Sequence, residues 1–119
     1  ASPEPSAPVE SPLVVVEEEP AAPDVGVQRD AERRALRRTT AQQLLAQAQD
    51  LSYKDPRRAM SIAQRAIDAY PSQDGWSLLG VTACRSGDSK AARRAFEKLK
   101  GRRRDDLASV CVGRGITLK

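Results

Sequence analysis

The chain of 119 residues contains no histidine. That removes the usual general base, the commonest transition-metal ligand and the side chain that titrates near neutrality. A Ser-His or Cys-His catalytic pair cannot be assembled within it. Aromatic residues make up only 3% of the sequence, too few for a β-sandwich core, which draws on aromatic and β-branched side chains. Two cysteines without histidine are too few for structural zinc, and they do not amount to a disulfide framework. No apolar run approaches the roughly 18 residues of a membrane span, and no signal peptide opens the chain. The expectation is a protein that is not an enzyme, needs no metal or cofactor, avoids membranes and works in the reducing cytoplasm. The first residue is Ala1 rather than methionine, which reads as a fragment or a processed product.

Positive charge is also missing from one end. Residues 1–28 hold six acids and no lysine or arginine, while the remainder carries all 20 bases and the other ten acids, a balance of +10. Six of the eight prolines lie before Gln28. Proline fixes φ and removes a backbone donor, so residues 1–27 read as a disordered, acidic, Pro-rich linker with polyproline-II character. Within it, Leu13-Val14-Val15-Val16 followed by Glu17-Glu18-Glu19 has the makeup of a short docking peptide.

What is present from residue 28 onward is alanine-rich helical periodicity. Ala31, Ala35, Leu36, Leu44, Leu45, Ala48 and Leu51 suit a first helix, with a break expected at Thr39-Thr40 and Thr40 as a second N-cap. Asp55-Pro56 is a favoured helix start, and Ala59, Ile62, Ala63, Ala66 and Ile67 follow at 3–4 spacing to Tyr70. Asp74 or a neighbour opens the next helix, with Trp76, Leu79, Gly80, Ala83 and Cys84 inward. Gly87 closes it, and Asp88 caps a fourth helix with Ala91, Ala92, Ala95, Phe96 and Leu99 inward. Gly101 ends that helix. A last one covers about Arg103 to Val112, with Leu107, Val110 and Cys111 inward, before Gly113, Gly115 and an extended tail with Ile116 and Leu118.

The stretch Trp76-Ser77-Leu78-Leu79-Gly80, then Gly87, then Ala92-Arg93-Arg94-Ala95-Phe96 resembles a tetratricopeptide repeat, whose pattern is W-x2-L-G, a turn glycine and A-x3-F. The unit from Thr40 to Pro71 resembles the repeat less closely, with Ala59, Ala66 and Pro71 at family-like positions. The resemblance implies an all-α fold of antiparallel helical hairpins, about two repeats plus a C-terminal capping helix, over residues 28–119. The Pro-rich linker, the short array and the ending Cys111, Gly115, Ile116, Leu118 also resemble the C-terminal region of large bacterial serine/threonine kinases of the myxobacterial type, although no kinase motif lies in these residues.

In the resembling family the first helix of each pair lines a concave peptide-binding face. Carried over by position, that face would be Ser77, Val81, Cys84 and Arg85. Members that clamp a terminal carboxylate use lysine and asparagine where this chain has Ser77 and Val81, so that ligand is not implied. The function expected is non-catalytic protein–protein recognition by an appendage of a larger signalling protein. A protein or peptide is the partner, and the chain's own Leu13–Glu19 is a second candidate occupant.

The alternative is a basic helical module for nucleic acid or another polyanion, carried by Lys90, Arg93, Arg94, Lys98, Lys100, Arg102, Arg103 and Arg104. A solvated helix face explains the same cluster, and the lack of stacking aromatics disfavours nucleic acid. Asp105-Asp106 reads as charge balance near a helix start. Cys84 sits near a helix C-terminus, where the dipole disfavours a thiolate, so it reads as structural rather than nucleophilic; Cys111 takes a buried-face position. A Cys84–Cys111 bridge is conceivable if the last helix packs there, and a cytoplasmic setting argues against it.

Overall fold

A computed structural model describes residues 21–119, with side chains from Val25 onward. Among the described residues there are five helices and no strand: α1 (Ala21–Leu51), α2 (Pro56–Ala69), α3 (Gln73–Ser86), α4 (Ser89–Lys98) and α5 (Gly101–Val112). The described residues fall into two units, residues 21–35 and Leu36–Lys119. In the described part of the first, side chains from Val25 are exposed, and Arg33 pairs with Asp30 one turn away. The core and the site lie in the second.

Two expectations about α1 are corrected. Residues 21–27, read as linker, belong to the helix. Pro23 falls in the first turn, where backbone N–H groups have no intrahelical partner and a missing donor forfeits nothing. Nor does Thr39-Thr40 interrupt it; threonine is only several tenths of a kcal/mol poorer than alanine in a helix, roughly 0.7 at most.

The later helices start where the side chains can cap them. The Asp55 carboxylate accepts from Arg58 N at 3.2 Å, and Pro56 holds the first helical position. Ser72, rather than Asp74, caps α3, its Oγ accepting from Gly75 N at 3.0 Å. Asp88 caps α4 by accepting from Ala91 N at 3.0 Å. Gly87, at φ 81°, is in the left-handed region that ends α3 without a Cβ clash. Replacing Asp88 with alanine is expected to lower unfolding free energy by about 1 kcal/mol, read by urea denaturation. A change near zero would mean that the carboxylate leaves Ala91 N in solution.

Short links make consecutive helices antiparallel neighbours. Ser86 near the end of α3 reaches Met60 near the start of α2, and Gln73 at the start of α3 hydrogen-bonds Lys98 O at the end of α4. The buried face of α2 is Ala59, Ile62, Ala63, Ala66 and Ile67, and that of α4 is Ala91, Ala92, Ala95 and Phe96, with Leu99 just beyond. These are the positions expected from spacing. The core mixes nine alanines with larger side chains: Leu44, Ile62, Ile67, Leu79, Phe96, Leu99, Leu107 and Leu118. Thr82, also fully buried, satisfies its hydroxyl on Leu78 O at 2.8 Å and Leu79 O at 3.1 Å.

The terminal helix α5 begins at Gly101, not near Arg103, and packs on α3 and α4. Leu107 and Cys111 are buried, whereas Val110, expected inward, is exposed. Three residues separate Leu107 from Val110 and four separate it from Cys111. The narrow contact over Gly80 accepts only the latter row. A Cβ on Gly80 would lie 2.5 Å from Leu107 Cδ2 and 3.2 Å from Ala95 Cβ. Cys84 and Cys111 form a disulfide, their Cα atoms 5.3 Å apart. This reverses the expectation that the thiols stay unlinked, and the reason is geometric: α5 crosses α3 at the row that carries Cys84.

Candidate functional site

Ser77, Val81 and Arg85 recur every four residues along α3, so they share one face one turn apart. That face is turned from the α4 and α5 contacts and forms one wall of an open groove of about 590 Å³. The C-terminal half of α1 forms the other wall through Gln42, Leu45, Ala46 and Gln49. The apolar floor is Leu45, Ala46, Leu78 and Val81, with the glutamines and Ser77 supplying amide and hydroxyl groups. Asp74 lies at one end of the α3 wall and Arg85 at the other. Eleven residues at 1.5 Å per residue separate them by roughly 16 Å, about the length of five extended residues.

The Arg85 end is built from the turn between α1 and α2. Arg85 Nη1 donates to Ser52 Oγ at 2.9 Å, and the guanidinium carbon sits 3.8 Å from the Tyr53 ring centroid. Ser52 is buried, which fixes the acceptor. Stacking plus the Nη1 hydrogen bonds to Ser52 Oγ and O hold the planar group while leaving other N–H donors for a ligand. No carboxylate among the described residues pairs with Arg85. At the opposite end Asp74 is already engaged, by Arg103 Nη1 at 2.6 Å. The groove therefore offers one uncompensated charge, and it is positive.

Of the four positions carried over from the repeat resemblance, the structure brings Ser77, Val81 and Arg85 together on the groove wall. Cys84 does not join them: it is 1% exposed and bonded to Cys111 on the far side of α3. Adjacent helical residues point about 100° apart, so the residue beside groove-facing Arg85 faces α5. The α1 wall and the Ser52–Tyr53 turn were not anticipated. Their signal was available as a second spacing, 42, 45, 46 and 49, offset from the core row Ala41, Leu44 and Ala48. The segment Leu13–Glu19 lies outside the described residues.

The basic residues of α4 and α5 are placed unevenly. Arg94 donates to Gln64 Oε1 at 2.9 Å, Arg104 lies 4.3 Å from the Phe96 ring centroid, and Lys98 lies 5.9 Å from that of Trp76. The side chains of Lys90, Arg93, Lys100 and Arg102 have no ion-pair partner among the described residues. In those residues no group of three or more acids and cysteines is arranged to hold a metal ion, and no helix is long and apolar enough to cross a membrane. No family model, curated protein or solved structure matches the chain.

Proposed function

We propose that residues 36–119 are a tetratricopeptide-like, non-catalytic recognition module, carried as an appendage of a larger signalling protein. Its groove takes an extended peptide of about four apolar residues followed by an acid. The repeat reading is supported by Leu79 and Gly80 in the core contact, Gly87 at the left-handed turn, and Ala92 and Phe96 buried on the second helix. The observation that carries the ligand is Arg85, a cation immobilised on Tyr53 and Ser52 without a counter-ion, at the end of an apolar floor. An apolar ligand face would remove the floor from water, and a carboxylate would answer Arg85 through a charge-assisted bond.

Residues 13–19, Leu-Val-Val-Val-Glu-Glu-Glu, have this composition, which makes the corresponding synthetic peptide a suitable probe in trans. Fluorescence anisotropy should show saturable binding to residues 36–119. Val81→Asp should weaken it at least tenfold by placing a carboxylate in the floor, and Arg85→Ala several-fold, with circular dichroism unchanged. Equal affinity for all three proteins would refute the groove.

The unpaired Lys90, Arg93, Lys100 and Arg102 favour a second reading, a polyanion-binding face. On that reading affinity for heparin or single-stranded DNA falls steeply with salt and is indifferent to Val81→Asp.

A further inference from the structure

The chain has two cysteines, 27 residues apart, and both fall at one contact between α3 and α5. Cys84 is 1% exposed and Cys111 is fully buried. Their Cα separation of 5.3 Å is inside the range that a disulfide spans without moving the backbone. With no other cysteine present, there is no competing pairing.

The helix that the bridge holds has few other buried anchors, its remaining ties of Arg103 to Asp74 and Arg104 over Phe96 lying at the surface. Only Leu107 and Cys111 of α5 are buried. Its N-cap, Lys100, makes no side-chain capping bond, and Arg102, Arg103 and Arg104 follow at once. Cations at a helix N-terminus oppose the macrodipole, so this helix starts poorly. Leu107 settles over Gly80 as the one large apolar anchor, and the second anchor is the sulfur of Cys111.

We propose that Cys84–Cys111 is a permanent structural bond acquired in an oxidising compartment, and that it locks the terminal helix onto the helix that walls the groove. In its formation the two thiols lose two protons and two electrons. A protein or small-molecule disulfide accepts them by thiol–disulfide exchange and leaves as two thiols. Once made, the bond is shielded, because an attacking thiolate has no exposed sulfur to reach. The compartment is thus the opposite of the reducing cytoplasm that so few cysteines lead one to expect.

The test begins in cells that make the protein naturally. They are quenched in acid and their thiols blocked with a maleimide reagent before and after chemical reduction. Both cysteines should label only after reduction; labelling of both without reduction would overturn the proposal. The lock is read separately by amide hydrogen exchange on the purified chain. Reducing the unfolded chain with a phosphine and refolding it with both thiols kept reduced, or making the Cys84→Ala/Cys111→Ala double variant, should speed exchange in residues 103–112 at least tenfold. Unchanged exchange in both samples would reject the locking role. If the double variant does not fold, the reductant experiment and the thiol count still decide.

Discussion

Phe96→Ala is expected to lower the unfolding free energy by about 3–5 kcal/mol. Phe96 is the only phenylalanine in the chain and is 6% exposed. Its neighbours on α4 are Ala91, Ala92 and Ala95, all buried, and alanine cannot extend into the space a lost ring would vacate. The cavity term therefore adds to the lost transfer energy. Arg104, now over the ring at 4.3 Å, loses its partner as well. Small domains have total stabilities near the low end of about 5–15 kcal/mol, so a substantial unfolded fraction is expected at 37 °C. Urea denaturation of Phe96→Ala beside Phe96→Leu gives the measurement. Less than 1 kcal/mol for the alanine variant would show that the ring is not a wedge of the core.

Gly80→Val is expected to destabilise by about 3 kcal/mol, the upper part of the range for overpacking. The added Cβ alone would approach Leu107 Cδ1 and Cδ2 at 2.7 and 2.5 Å, with Ala95 Cβ at 3.2 Å behind them. Leu107 is the far end of a side chain, but it is 2% exposed and has nowhere to retreat. Valine's better helix propensity than glycine's recovers only a few tenths of a kcal/mol. Leu107→Ala alone should destabilise by about 2–5 kcal/mol through its cavity. The double variant should then fall well short of the sum, because each change relieves the defect of the other. Strict additivity would mean that Gly80 and Leu107 do not meet.

The faces of α2 and α4 were legible because an apolar row at 3–4 spacing between an acid cap and a stop leaves little freedom. Asp55-Pro56 and Asp88 supply the starts, and Pro71 and Gly101 the stops. The placement of α5 was not legible. Cys111 and Val110 were both apolar candidates on their helix, and only the crossing over Gly80 selects between them. The bridge was conceivable but disfavoured on the expected cytoplasmic setting: each cysteine could be assigned to a buried face, but spacing says nothing of which faces meet. Half of the groove was visible, as Ser77, Val81 and Arg85 on one helix. The other half depends on how α1 lies along α3, and on Tyr53, which is 79% exposed and gains its role only from the arginine stacked on it.

The alanine core has a consequence for motion. Ala48, Ala59, Ala63, Ala66, Ala83, Ala92 and Ala95 are each no more than 1% exposed. An alanine methyl is attached directly to Cα and has no rotamer to lose, so ordering it on folding carries no side-chain entropy penalty. It also has no rotamer to gain when the protein is warmed or a ligand departs. At these positions the interior cannot store or release disorder through side-chain hopping, which is left to the leucine, isoleucine and phenylalanine side chains between them. Motion at the alanine positions is motion of the helices themselves.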